Sequence, residues 1–183
     1  MTTSEPTVVS KVTLDRFGLW LFILSESGIF LALLASRFYL TGFDVPEEAN
    51  QVVALIITSI LLASSGSAYL AEVASRFGDS ALYRKALMAT LALGLVFLLG
   101  VGVEWSEAFD AFPPSTAYGS SFFLMTGMHA FHVLTGMIFL GVVYRMSRKA
   151  PASHKWPVEA SVKYWHFVDV VWVFFYPALY LIN

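Results

Sequence analysis

Residues 86–103 read Ala-Leu-Met-Ala-Thr-Leu-Ala-Leu-Gly-Leu-Val-Phe-Leu-Leu-Gly-Val-Gly-Val, and no ionisable side chain interrupts the run between Lys85 and Glu104. A helix rises about 1.5 Å per residue, so this stretch and its flanks match the roughly 30 Å of hydrocarbon in a bilayer. Working outward from it, four more apolar stretches of comparable length follow the same reading. The predicted membrane-spanning helices cover 16–40, 52–71, 82–104, 118–145 and 160–182. None shows the sustained two-residue alternation of a barrel strand, and in lipid a lone segment satisfies its own backbone only as a helix. The expected fold is therefore all-α, a polytopic membrane bundle of five transmembrane helices.

Composition supports this reading. Of 183 residues, 57% are hydrophobic and 13% charged, whereas a water-soluble domain carries about a quarter charged residues because its surface faces water. The 11 basic and 13 acidic residues leave a net charge of -2, which gives a nucleic-acid partner no electrostatic footing. The chain has no cysteine, so disulfides, Cys-ligated zinc, iron–sulfur clusters and thiolate-bridged copper are excluded and the redox compartment is unreadable.

Residues 1–15 form a polar leading segment without the basic stretch and small-residue cleavage site of a signal peptide, so the first helix is expected to be retained. Residues 16–183 are expected to form a single five-helix domain, since no repeat, linker or low-complexity run appears. Lys11 and Arg16 precede the first helix; Arg76, Arg84 and Lys85 join the second to the third; Arg145, Arg148, Lys149, Lys155 and Lys163 join the fourth to the fifth. The other two connections hold Asp44, Glu47 and Glu48, and Glu107 and Asp110, with no basic residue. The positive-inside rule then places the N-terminus in the cytoplasm and the C-terminus in the periplasm. Arg37 breaks the pattern and is expected to snorkel outward from its helix end. Small residues at 64–68, and Gly94, Gly100, Gly102, Gly127, Gly136 and Gly141, are expected to form packing seams.

Charged groups inside a bilayer are costly, so each one requires a partner or a role. Glu26 falls mid-helix in the first span, His129 and His132 in the fourth, His166 and Asp169 in the fifth; Glu72, Glu104 and Glu159 lie nearer helix ends. Each pair three residues apart shares a helix face, and Asp169 is expected to partner His129 or His132. Two readings compete: imidazoles on adjacent helices as metal or haem ligands, or polar groups that hydrogen-bond across helices. The di-iron pattern needs Glu-x-x-His, and this chain has His-x-x-His and His-x-x-Asp instead. Glu26 reads either as a proton relay or as a protonated carboxyl bonded to a neighbouring helix or lipid head group. Trp20, Tyr39, Trp105, Tyr118 and Trp156 are expected interface anchors, and His154 a solvated loop residue.

The stretch Thr126-Gly127-Met128-His129-Ala130-Phe131-His132-Val133, then Val158-Glu159-Ala160, then Tyr164-Trp165-His166-Phe167-Val168-Asp169-Val170-Val171-Trp172 resembles subunit III of the haem-copper oxidases. The resemblance extends through Leu21-Phe22-Ile23-Leu24-Ser25-Glu26, the 61–66 run, Glu104-Trp105-Ser106-Glu107-Ala108-Phe109 and Tyr118-Gly119-Ser120-Ser121-Phe122-Phe123. It implies the five-helix bacterial form: an accessory subunit of a proton-pumping cytochrome c oxidase of aa3 type in the inner membrane. Such a subunit binds no redox cofactor, haem a and copper residing in partner subunits I and II, and it holds phospholipid. By the resemblance Glu26 takes the place of the family's buried carboxylate, and Glu104, His129, His132, Glu159, His166 and Asp169 match polar positions of its core. The long form's two leading helices have no counterpart here, which puts the lipid cleft they help build in doubt.

Counting residues leads the same way. Ligating two haems and a copper takes about half a dozen histidines, and a thiolate-bridged copper needs cysteines; this chain has four histidines and no cysteine. The runner-up host is a quinol oxidase, or a nitric oxide reductase with its related small subunit. Different in class are a stand-alone membrane haem protein using the histidines of helices four and five, and a proton channel or transporter. The channel lacks any ionisable residue in 86–103 to continue its path.

Overall fold

A computed structural model describes residues 10–47, 49–147 and 155–182. Among these the chain forms five helices and no strand: α1 Lys11–Thr41, α2 Gln51–Phe77, α3 Ser80–Ala111, α4 Ala117–Ser147 and α5 Lys155–Tyr180. Glu48, Arg148, Lys149 and His154 lie outside the described residues.

The helix starts are set by side chains that accept from otherwise unpaired backbone N–H groups. Ser10 Oγ accepts from Thr13 N, Asn50 Oδ1 from Val53 N, and Asp79 Oδ1 from both Ala81 N and Leu82 N. Between α2 and α3 the chain reverses through Gly78, whose φ of 80° is left-handed and costs a side-chain-bearing residue more. Pro177 sits in the last turn of α5, and the helix stops three residues later.

By length and composition α1 to α4 are apolar enough to cross a membrane. α5, which carries Lys163, His166 and Asp169, packs against α1, α2 and α4. Its Trp165, Val168, Trp172, Phe175 and Leu179 are buried in the core. The polar side chains of α5 are thus shielded by its neighbours, which relieves the cost of polarity in lipid. α1 lies across α4 and α5 with Leu24 and Leu31 turned outward. The short connections make the helices alternate in direction. One end gathers the start of α1, the α2–α3 turn and the start of α5, and will be called the basic end; the opposite end is the acidic end.

Three buried or half-buried indoles fix the rotation of α5 and α3 by donating to hydroxyls: Trp165 Nε1 to Ser64 Oγ (3.0 Å), Trp172 Nε1 to Thr58 Oγ1 (2.9 Å) and Trp105 Nε1 to Thr126 Oγ1 (2.9 Å). Each Trp thereby buries its ring while satisfying its single donor. Trp165 is wedged between helices at two glycines: a Cβ at Gly94 of α3 would stand 2.7 Å from its ring, and one at Gly136 of α4 would stand 2.9 Å away. Gly100 and Gly127 also meet side chains, Ile57 and Trp105, whereas Gly66, Gly102 and Gly141 face open space. The expected glycine seams are therefore real at four positions and absent at three.

Candidate functional site

His132 and His129 are one turn apart on α4, yet three residues are about 60° short of a full rotation, enough to aim them at different neighbours. His132 Nδ1 lies 2.8 Å from the Met128 carbonyl and Nε2 lies 3.1 Å from Glu26 Oε2 on α1. A carbonyl only accepts, so Nδ1 carries a hydrogen. Nε2 then either accepts from a carboxylic acid or donates to a carboxylate. In both cases Glu26 and His132 hold one proton between them. The edge of Phe30 closes over the pair, with ring centroids 4.7 Å apart.

His129 is fully buried, stacked on Trp172 at 4.6 Å and met edge-on by Phe97 at 5.6 Å. Neither ring nitrogen bonds a protein group among the described residues. On α5, His166 turns to α2, where its Nδ1 lies 2.7 Å from Ser65 Oγ. Asp169, a turn further on, is buried beside the same hydroxyl without either oxygen closing a hydrogen bond. The expected pairing of Asp169 with His129 or His132 is thus not formed: His132 is taken by α1, and the His166–Asp169 face looks toward α2. Tyr164 packs between Phe22 and Phe139, with centroids 6.1 and 5.2 Å away.

At the acidic end one polar residue from each helix joins a clasp. Tyr180 Oη donates to Glu104 Oε1 (2.7 Å), Tyr118 Oη to the Leu179 carbonyl (2.5 Å), and Gln51 Nε2 to the Tyr180 carbonyl (2.9 Å). Arg37 donates to the carbonyls of Gly42 (3.1 Å) and Asp44 (2.8 Å) and to Thr41 Oγ1, and its guanidinium lies 4.9 Å over the Tyr118 ring. This corrects two expectations. Arg37 is 0% exposed and does not snorkel, because the carbonyls at the end of α1 supply the acceptors that water would have offered. Tyr118 is a buried clasp residue and not an interface anchor. Trp105 likewise is tied inward through Thr126, whereas Trp20 and Tyr39 are exposed.

At the basic end Glu159 accepts from Arg16 (2.9 Å) and Lys163 (2.5 Å), and Arg16 lies 5.7 Å over the Trp156 ring. Partial burial works to raise the Glu159 carboxyl's pKa, but the hydrogen bonds from Lys163 and Arg16 outweigh it and hold the group below the usual carboxylate range. Glu72 of α2 accepts from Arg76 one turn on.

The three described histidines therefore face α1, the α3–α5 interior and α2, and do not converge on one point. Among the described residues, no three or more His, Asp or Glu side chains are grouped to hold a metal ion. Sequence reasoning missed the partners Thr58, which it did not single out, and Ser64 and Ser65, read there as small packing residues, together with the acidic-end set of Arg37, Gln51 and Tyr180. The signal for Arg37 was its breach of the charge pattern: a cation on the wrong side must find acceptors locally.

These features define a class, a multi-helix membrane protein whose buried and half-buried imidazoles and carboxyls lie against neighbouring helices. The family model for cytochrome c oxidase subunit III matches residues 4–183. Cytochrome c oxidase subunit 3 of Artemia franciscana is 38% identical to the chain, that of Tragelaphus imberbis 39% and that of Sus scrofa 39%; each match covers 90% of this chain and 68% of the relative. The chain belongs to the cytochrome c oxidase subunit III family, and so to a complex with other oxidase subunits.

Proposed function

We propose that the chain is the accessory subunit III of an aa3-type cytochrome c oxidase in a bacterial plasma membrane, itself free of redox cofactors. It packs against catalytic subunit I, alongside copper-binding subunit II, stabilises the catalytic subunit and supports phospholipid binding and proton uptake. The observation that carries this reading is the divergence of His129, His132 and His166, each held by a different neighbourhood, within a chain of the subunit III family. Haem a and copper then belong to the partner subunits. The ten cations flanking the basic end support a cytoplasmic N-terminus and a periplasmic C-terminus.

Support for phospholipid comes from a groove of about 700 Å³ between α1, α4 and α5, lined by Leu19, Phe22, Ile138, Phe139, Val142 and Tyr164. Its size and apolar walls suit acyl chains. Arg16 and Trp156 stand beside its Gly18 and Pro157 end, where a phosphate would meet a cation and an indole at the membrane boundary. The test compares the purified oxidase with and without this chain for phospholipid phosphorus per complex and for turnover. Loss of bound lipid and of sustained turnover is expected without it; identical lipid content and turnover would refute the proposal.

A further inference from the structure

Among the described residues, Asp169 stands apart from the other buried and half-buried carboxyls. Glu26 has His132, Glu104 has Tyr180, Glu72 has Arg76, and Glu159 has Arg16 and Lys163. Asp169 is 3% exposed with neither oxygen bonded, and its neighbour is a hydroxyl, not a cation. That hydroxyl, Ser65 Oγ, is already 2.7 Å from His166 Nδ1. His166 is half-buried, and the carboxylate of Glu72 lies on its basic-end side. Glu72 leads to Arg76, whose side chain is 63% exposed.

We infer that Asp169 is an internal proton-binding site, filled and emptied from the basic end through the Ser65 hydroxyl and the His166 imidazole. The transfer balances without any co-reactant. As the Asp169 Oδ–H bond breaks, a Ser65 Oγ–H bond forms; Ser65 gives up its original hydrogen to His166 Nδ1, and the ring releases the proton on Nε2 to water near Glu72. One proton leaves Asp169 for solvent, and the reverse sequence returns it. Serine suits the middle position because one hydroxyl both accepts and donates.

Other groups near the path are accounted for. Glu72 and Arg76 on α2, and Glu159 and Lys163 on α5, flank its outer end, and α4 contributes His129, enclosed by Phe97 and Trp172. Glu26 on α1 belongs to its own pair with His132. The file is separate from the lipid groove and does not rest on it. It gives this subunit an exchangeable proton in the seam between α2 and α5.

Infrared spectroscopy of the purified oxidase complex tests the inference. The acid C=O band of Asp169, assigned by its loss in Asp169→Asn or by its isotope shift with ¹³C-aspartate in the unaltered chain, is followed after transfer into D₂O. The inference predicts that the band is present, that its deuterium shift slows by at least about tenfold in Ser65→Ala and in His166→Phe, and that Ser65→Thr restores the rate. Absence of the acid band, or an exchange rate unchanged in Ser65→Ala, would overturn it. An Asp169 that serves packing alone predicts no effect of the Ser65 hydroxyl on exchange.

Discussion

Glu26 and His132 show how one backbone carbonyl can decide the chemistry of two side chains. Because Met128 O occupies His132 Nδ1, Nε2 must meet Glu26 across a shared proton. Glu26→Gln is therefore expected to assemble normally, since an amide N–H can still donate to Nε2, while proton uptake or turnover lifetime changes. Glu26→Leu leaves a buried ring nitrogen unpaired and should cost about 1–3 kcal/mol, read as a lower thermal midpoint of the complex. Equal midpoints for the two variants would contradict the hydrogen bond. At the other end of α1, Arg37→Met strands the Gly42 and Asp44 carbonyls in a buried site and should cost about the same for each. Wild-type stability in Arg37→Met would show that the clasp is dispensable. At this scale the sequence named the costly residues, Glu26, His132 and Asp169 among them, but not their partners. Spacing places two side chains near one face of a helix; which neighbour that face meets depends on rotation, which no local pattern encodes.

The rotation of α5 is set by Trp165 and Trp172 donating to hydroxyls of α2 and by the slot between Gly94 and Gly136. Gly94→Ala is expected to push the Trp165 ring and cost roughly 1–3 kcal/mol through overpacking, whereas Gly102→Ala, with open space around it, should be near neutral. Comparable losses in both variants would contradict the slot. The tie between α1 and α5 through Arg16 and Glu159 is pH-dependent in a defined direction. Glu159's pKa is lowered in the folded chain, so its contribution is present above the usual carboxylate range and is lost as pH falls through the folded value. Arg16 is half exposed, which limits the pair to about 1 kcal/mol or less. Glu159→Gln should therefore be slightly less stable than wild type near neutrality and equal to it in acid; a difference that grows on acidification would reverse the assignment. The helices themselves were legible: the uncharged run at 86–103 lies inside α3, and every expected span lies within or nearly within an observed helix. α5 was legible as a helix with His166 and Asp169 on one polar face, but the helices that cover that face were not, because spacing does not fix rotation.

For the whole molecule, the sequence carries two kinds of information that agree. Low charge, absent cysteine and few histidines exclude a chain that does redox chemistry through its own thiolates or a many-histidine metal array. The helix-four and helix-five motifs resemble the family that the comparisons then establish. What neither supplies is the surface that meets another subunit, since lipid-facing and partner-facing helices are equally apolar. The most direct test of the central claim is to tag this chain in its native host, extract it in mild detergent and identify what co-purifies. The account predicts a colourless chain recovered with a large, histidine-rich, haem-bearing membrane subunit and a copper-binding subunit with paired cysteines. Recovery of the chain alone, carrying a haem absorption band that His166→Ala abolishes, would contradict it.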